Sequence, residues 1–256
     1  MALLHIQGLK KVYQKDNPVL KGLDVTIHQG EFVVVIGPSG AGKSTFIRCL
    51  NRMVQPTEGE IRFLGQPTSQ LRGSQLRQLR AQMGMIFQHY NLIGRTNVIK
   101  NVMHGCLGQL NVAQSALGLY RNEDKQKAYD LLKKVGLQDH LYKKAKDLSG
   151  GQMQRVGICR AMMQNPKLLL ADEPIASLDP KSAQLVMGLM HQMVTEQNLT
   201  CIMNLHQVAI AKQYATRIIG IKGGHIVYDG PPTDLSDTMI DHIYEGKAHE
   251  KELKTP

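Results

Sequence analysis

Apolar and polar positions alternate in two N-terminal segments, residues 3–7 and 23–28, as they do in half-buried β-strands. Residues 31–36 (EFVVVI) form a continuous, mostly β-branched run, which is typical of a strand buried on both faces. A glycine-rich turn follows, and a helix is predicted from residue 43 to about residue 53. Further short strands are predicted at residues 61–64 and Met83–Phe87.

The second half of the chain begins with a helical pattern between about residues 98 and 141, clearest at 125–135, where Gly136 ends it. Helices and short strands then alternate: helix 151–164, strand 167–171, helix 181–197, strand 200–205, helix 207–214 and strand 217–221. This alternation predicts a parallel sheet covered on both faces, interrupted by a helical block. A hairpin is predicted at 218–228, with its turn at Gly223 and Gly224.

The composition is that of a folded α/β protein. The 256 residues suit one large domain or two small ones, and 42% apolar residues with 24 glycines argue against a disordered or fibrous chain. No apolar run reaches the ~18–20 residues that a membrane-spanning helix needs. The cysteines contain no CxxC pair, so we expect reduced packing residues at Cys49, Cys106, Cys159 and Cys201.

Positive charge is concentrated in one half of the chain. The formal net charge is +10, and residues 1–128 hold 16 basic and 7 acidic side chains, against 15 and 14 in residues 129–256. Residues 61–122 contain seven arginines or lysines and no carboxylate. This asymmetry suggests a nucleic acid or an anionic membrane surface as partner, with a solvated basic face as the equal alternative.

The turn after the buried strand at 31–36 reads GPSGAGKS and matches the pattern G-x-x-x-x-G-K-[ST]. Glycines permit the turns that aim backbone N–H groups at a phosphate, and the following helix adds its positive end. Lys43 supplies a charge for the β- and γ-phosphates, and the Ser44 hydroxyl can bind Mg²⁺. We expect ATP at Gly37, Pro38, Ser39, Gly40, Ala41, Gly42, Lys43, Ser44 and Thr45.

Two carboxylates, Asp172 and Glu173, follow the apolar run 168–171. A carboxylate at the end of a buried strand can hold Mg²⁺ through water, and the next one can polarise an attacking water. Without the phosphate loop, a capping turn would be the commoner explanation of Asp-Glu-Pro at this place.

A second anion cradle is predicted where LSGGQ (148–152) opens a helix, because a serine and two glycines lie at its N-terminus. One domain rarely needs two phosphate cradles for one nucleotide. We therefore expect each cradle to serve the ATP of a different subunit in a head-to-tail dimer.

With this last motif the chain closely resembles the ATP-binding subunits of ABC transporters, over residues 3–235. The resemblance implies an α/β fold: a P-loop NTPase core with an antiparallel β subdomain and an inserted helical subdomain at about 98–165. It also implies a single ATP-binding domain at 1–245, and the residues after that domain, 246–256, are expected to form a charged tail.

Further residue roles follow from the resemblance. It implies that Tyr13 stacks on adenine, that Gln88 senses Mg²⁺ and water and links to the permease, and that Asp179 crosses the dimer interface. It implies that a signature motif closes over the γ-phosphate of the ATP bound by the partner subunit, and that this motif consists of Ser149, Gly150, Gly151 and Gln152. It assigns catalysis to Lys43, Gln88, Glu173 and His206, and Mg²⁺ binding to Ser44, Gln88 and Asp172. The alternatives are a packing residue for Tyr13 and a turn residue for His206.

Three stretches resemble the phosphonate import ATPases, whose relatives also serve phosphite: residues 51–63, 84–95 and 205–230. Leu205 and Gln207 flank His206 as they do in that group. The implied assembly is an ATPase homodimer, a membrane permease dimer and a periplasmic or extracellular solute-binding protein, with ATP and Mg²⁺, on the cytoplasmic face of the bacterial inner membrane. An importer for another small solute is the alternative.

A stand-alone ABC ATPase acting on nucleic acid is disfavoured. Such proteins carry long coiled-coil insertions or two ATPase halves in one chain, and these 256 residues are expected to hold neither. Residues 61–122 also have too few aromatic side chains for a base-stacking platform, so we expect no nucleic acid. Five basic side chains are instead expected to face permease carboxylates or lipid headgroups: Arg72, Arg77, Arg80, Arg95 and Lys100. The methionines at helical spacing, Met187, Met190 and Met193, are expected in the core.

Overall fold

The structure, a computed structural model, describes residues 1–14, 17–110 and 118–245. The chain divides into two compact units: a first unit of Met1–Ser69 with Ile202–Pro256, and a second unit of Gln70–Cys201. The domain limits at 1–245 and the helical subdomain at about 98–165 stay predictions. The tail predicted at 246–256 lies outside the described residues.

The elements alternate as the sequence predicts for an α/β chain. The strands are β1 (Ala2–Gln14), β2 (Asn17–His28), β3 (Phe32–Ile36), β4 (Glu58–Phe63), β5 (Gln66–Pro67), β6 (Met83–Phe87), β7 (Leu168–Asp172), β8 (Thr200–Asn204), β9 (Arg217–Lys222) and β10 (His225–Gly230). The α-helices of the described residues are α1 (Lys43–Leu50), α2 (Gly73–Ala81), α3 (Val98–Met103), α4 (Asn122–Lys134), α5 (Gly150–Met163), α6 (Pro180–Glu196), α7 (Val208–Tyr214) and α8 (Asp237–Tyr244). Short 3₁₀ helices lie at His104–Gln109, Gln138–His140, Ala145–Asp147 and Pro232–Asp234.

An antiparallel sheet of order β2-β1-β4-β5 lies in the first unit, which agrees with the implied antiparallel β subdomain. Its inward positions, such as Leu4, Ile27 and Ile61, are almost fully buried. β1 and β2 are much longer than the alternation predicted. Their pairing shifts register several times, and Gly8 has φ +57°, so the period of two breaks along both strands.

The strands that support the phosphate loop also lie in the first unit, in the order β10-β9-β3-β8, with β8 crossing the unit boundary at residues 201 and 202. β3 is buried along its whole length and pairs in parallel with β9, with Ile36 opposite Gly220. β9 and β10 form the predicted hairpin, and both turn glycines have positive φ.

The second unit places β6 parallel to β7, with Phe87 opposite Asp172. In its helix α6, Met187, Met190 and Met193 are buried, as predicted, and its helix α5 begins within the signature, at Gly150. All four cysteines of the chain are buried and free, as expected, and burial raises the pKa of Cys49 to about 12. No helix of the described residues is long and apolar enough to cross a membrane.

One helix boundary and two whole helices differ from the sequence predictions, for identifiable reasons. α1 ends at Leu50 rather than near Met53, because Arg52 takes a left-handed conformation at φ +59°. α2 was missed because it buries only Leu79 and so lacks an apolar period. α8 was missed too, although its signal exists: Ser236 caps it by accepting a hydrogen bond from the Met239 N–H.

Candidate nucleotide-binding site

The loop between β3 and α1 requires glycine at two of its positions. Gly37 has φ +148°, and a Cβ there would lie 2.0 Å from the Ile221 carbonyl oxygen. Gly42 has φ +102°, and its Cβ would lie 2.8 Å from the Leu20 side chain. Gly40 also has positive φ, but its surroundings are open. The glycines therefore let the backbone fold closely against β9 and β2 while it turns into the helix.

Lys43, the first residue of α1, is only 4% exposed. Its Nζ donates to the carbonyl oxygens of Gly37 and Pro38, at 2.7 and 3.0 Å. The ammonium group is thus held inside the loop, where a bound phosphate could exchange for these carbonyls. Pro38 is half-buried, Ser39 is exposed, and Ala41 is buried.

Ser44 is the next residue of α1, and its Oγ accepts a hydrogen bond from Asn204 Nδ2 at 3.2 Å. Asn204 is fully buried at the end of β8, and it is not among the site residues predicted from the sequence. The available signal was a polar residue closing an apolar strand, two positions before His206. His206 itself lies exposed in the loop between β8 and α7.

Tyr13 on β1 is 57% exposed, so its ring is not a core packing residue. Its Oη lies 3.4 Å from Thr45 Oγ1 on α1, and Lys11 Nζ lies 4.9 Å from the ring centroid. An exposed ring tied to the phosphate-loop helix is open to a stacking partner. The adenine role of Tyr13 stays a prediction.

The carboxylates of the second unit lie at one end of a strand pair. Asp172 closes β7 and is 2% exposed, while Gln88 follows β6, whose last residue pairs with Asp172. Glu173 is half-buried and has φ +51°, an unusual conformation for a non-glycine residue. Such backbone strain is common at functional sites.

The signature residues form a capped helix start. Ser149 Oγ accepts from the Gln152 N–H at 3.3 Å, and Gln152 Oε1 accepts from the Ser149 N–H at 2.9 Å, so the two residues form a capping box. A Cβ at Gly150 would lie 2.9 Å from Tyr90 Oη, and one at Gly151 would lie 3.2 Å from Ser182. Glycine at both positions therefore lets Tyr90 and Ser182 pack closely against the start of the helix, whose N-terminus is the kind of site that binds an anion.

Asp179 is the exposed N-cap residue of α6. Its Oδ1 accepts a hydrogen bond from the Ser182 N–H at 3.0 Å, and hydrogen bonds from Ser182 lower the pKa of the carboxyl group. Capping of α6 is by itself a structural reason for an aspartate at this position. Its role at a dimer interface stays a prediction.

Hydrogen bonds join the segment after Gln88 to α5, the helix that begins at the signature, and the sequence did not predict them. Tyr90 and Asn91 both have left-handed φ, at +56° and +49°. Arg160 of α5 donates to both of their carbonyl oxygens, at 2.8 and 2.5 Å, and so holds this strained turn.

The residues expected to bind Mg²⁺ offer oxygen atoms of the kind this ion prefers: the Ser44 hydroxyl, the Gln88 amide oxygen and the buried Asp172 carboxylate. The described residues contain no cluster of three or more His, Cys, Asp or Glu side chains that could hold a metal alone. Donors of this kind suit Mg²⁺ that arrives with nucleotide phosphates, since this ion is usually bound by one or two carboxylates together with phosphate oxygens and waters.

Comparisons with known proteins agree on one family. The family model described as "ABC transporter" matches residues 20–176. The phosphonates import ATP-binding protein PhnC 2 of Oceanobacillus iheyensis is 50% identical over 244 residues, covering 95% of this chain and 96% of the relative. The phosphonates import ATP-binding protein PhnC of Treponema denticola is 48% identical over 238 residues, covering 93% of each chain.

Solved structures give the same result. The ATP-binding cassette MJ0796, in a dimeric post-hydrolysis state bound to ADP and Pi, superposes with a TM-score of 0.77 at 31% identity, covering 90% of this chain and 98% of that one. The protein cbiO1 of Clostridium perfringens, part of the ABC transporter complex cbiONQ, gives a TM-score of 0.80 at 27% identity, covering 98% and 99%. The fold is that of an ABC ATPase, and the chain belongs to the ABC transporter family.

Proposed function

We propose that this chain binds and hydrolyses ATP as the nucleotide-binding subunit of an ABC importer for phosphonates. The observation that carries the proposal is the phosphate loop, in which buried Lys43 donates to the Gly37 and Pro38 carbonyls. The phosphonate assignment is supported by the curated relatives, whose names describe phosphonate import and which match nearly the whole chain.

ATP binding rests on the residues of the first unit. The loop N–H groups and the start of α1 would receive the phosphates, and Lys43 Nζ would move from the loop carbonyls to phosphate oxygens. The exposed ring of Tyr13 offers a stacking surface for the adenine base.

Hydrolysis requires a base for the attacking water, and we assign that role to Glu173, with His206 and Gln88 completing the site. A carboxylate suits the role since it can accept a proton from a positioned water. Ser44, Asp172 and Gln88 would hold Mg²⁺, which when bound would neutralise charge on the β- and γ-phosphates.

We further propose that two copies of the chain close over ATP, head to tail. The N-terminus of α5, capped by Ser149, would add its positive end to the γ-phosphate bound by the partner copy. Asp179 would lie in the same interface. The dimeric state of the related cassette MJ0796 supports this arrangement.

The remaining partners are a membrane permease dimer and a solute-binding protein outside the membrane, with this chain held at the inner face of the bacterial membrane. Five basic side chains within residues 61–122 are exposed, as an electrostatic contact requires: Arg72, Arg77, Arg80, Arg95 and Lys100. We propose that they contact permease carboxylates or lipid headgroups.

The test is to purify the chain with its permease and solute-binding protein in lipid and to measure ATP hydrolysis with and without a phosphonate. We expect a phosphonate to stimulate hydrolysis, whereas stimulation only by an unrelated small solute would contradict the phosphonate assignment.

The double variant Arg77→Glu, Arg80→Glu is expected to weaken assembly with the permease, while hydrolysis by the isolated chain is retained. The matched control is Lys125→Glu, Lys133→Glu on the exposed face of α4. Equal assembly by both variants would indicate a merely solvated basic face.

A further inference from the structure

The C-terminal helix α8 ends in a side chain that reaches the phosphate loop. Tyr244 is half-buried, and its Oη accepts a hydrogen bond from the Gly37 N–H at 3.3 Å. Gly37 is the first residue of the loop and is itself buried. A buried backbone N–H without a partner is costly, so this phenol oxygen satisfies a donor that the loop turn leaves outside regular pairing.

Gly37 is constrained on its other side as well. Its carbonyl oxygen accepts from Lys43 Nζ at 2.7 Å, and its α-carbon lies close against the Ile221 carbonyl. Both polar backbone groups of Gly37 are thus held by side chains, one from α1 and one from α8. Of these two bonds, only the one to Lys43 would be exchanged when phosphate binds, whereas the Tyr244 bond can persist.

The helix α8 is anchored where it can hold this contact steadily. Ile243 packs against Gly220 of β9, where a Cβ would lie 2.7 Å from the Ile243 side chain. Gly220 in turn pairs with Ile36, the residue directly before Gly37. Lys222 Nζ also donates to the His242 carbonyl. Burial raises the pKa of Tyr244, so the phenol is neutral at physiological pH.

We propose that Tyr244 is a positioning residue for the phosphate loop: its hydroxyl fixes the Gly37 peptide group and thereby prepares the loop for ATP. The inference rests on the proposed function of the loop as an ATP site and deepens it. A loop that is ordered before nucleotide arrives loses less conformational entropy on binding, so the hydroxyl contributes to affinity without touching the nucleotide.

Tyr244→Phe removes the hydroxyl alone. We expect the Kd for ATP to rise about 3-fold to 10-fold, as loss of one net hydrogen bond implies, while kcat changes by less than about 2-fold. In the nucleotide-free chain, hydrogen exchange at the Gly37 amide should become at least about 10-fold faster, measured by NMR with ¹⁵N-glycine. Tyr228→Phe is the matched control, since Tyr228 Oη donates to the Pro231 carbonyl at 2.6 Å and the variant also loses one phenol–backbone bond.

The outcomes separate the inference from the proposed function. Wild-type affinity together with unchanged Gly37 exchange in Tyr244→Phe would overturn the inference. Equal losses in Tyr228→Phe would also overturn it, because they would reflect general loosening of the unit. If the wild-type chain failed to bind ATP, the proposed function would fall, and the exchange rate at Gly37 would still decide whether Tyr244 orders the loop.

Discussion

Replacing Glu173 with glutamine is expected to lower the rate of ATP hydrolysis by about 100-fold to 10,000-fold, while the Kd for ATP stays within about 2-fold. Glutamine has nearly the same shape but cannot accept a proton from water. The residue lies directly after buried β7, with φ +51°, where its position is set by the strand and the turn rather than by its charge. The substitution therefore removes the base and leaves the backbone in place.

Glu173→Gln is measured as steady-state phosphate release beside ATP binding by equilibrium titration. Glu123→Gln provides the matched control, since Glu123 is an exposed glutamate of α4 in the same unit. We expect wild-type turnover from the control. Near-normal turnover in Glu173→Gln would contradict the role of Glu173 as the base.

Replacing Lys43 with alanine is expected to raise the Kd for ATP by about 100-fold or more. Charge-assisted hydrogen bonds each contribute about 1.5–3 kcal/mol, and Lys43 makes two such bonds to the loop that would be exchanged for bonds to phosphate. Lys43→Arg should also bind poorly, because a planar guanidinium does not fit the space of a 4% exposed ammonium.

The control for lost charge is Lys10→Ala. Lys10 lies in the same unit and forms an exposed ion pair with Glu58 at 2.6 Å, so its loss should change ATP affinity by less than about 2-fold. Both variants are compared by nucleotide titration after their thermal unfolding has been checked. Retention of ATP affinity by Lys43→Ala would contradict the assignment of the phosphate loop.

The phosphate loop, the capped signature and the end of β7 were accessible from sequence because each is local. In each case a strand or helix end and a few adjacent residues carry the whole signal, as with Lys43 and Ser149. The β9–β10 hairpin was predictable for the same reason, since Gly223 and Gly224 mark its turn.

The contacts that sequence could not give join residues far apart in the chain. The Asn204–Ser44 bond links residues 160 positions apart, and the Tyr244–Gly37 bond links residues 207 positions apart. In each pair, the sequence around one residue contains no pattern that identifies the other residue as its hydrogen-bond partner. The left-handed conformation of Glu173 was equally hidden, because no residue type reports strain imposed by its surroundings.

The central claim is that the loop at Lys43 binds ATP and that the signature at Ser149 clamps the ATP of a partner copy. The most direct test is the association state of Glu173→Gln with and without ATP, measured by sedimentation velocity, in the presence and absence of the added change Ser149→Arg. We expect Glu173→Gln to dimerise only with ATP, and the double variant to stay a monomer that still binds ATP. A double variant that dimerises as tightly as Glu173→Gln, or a Glu173→Gln chain that stays monomeric when saturated with ATP, would contradict the claim.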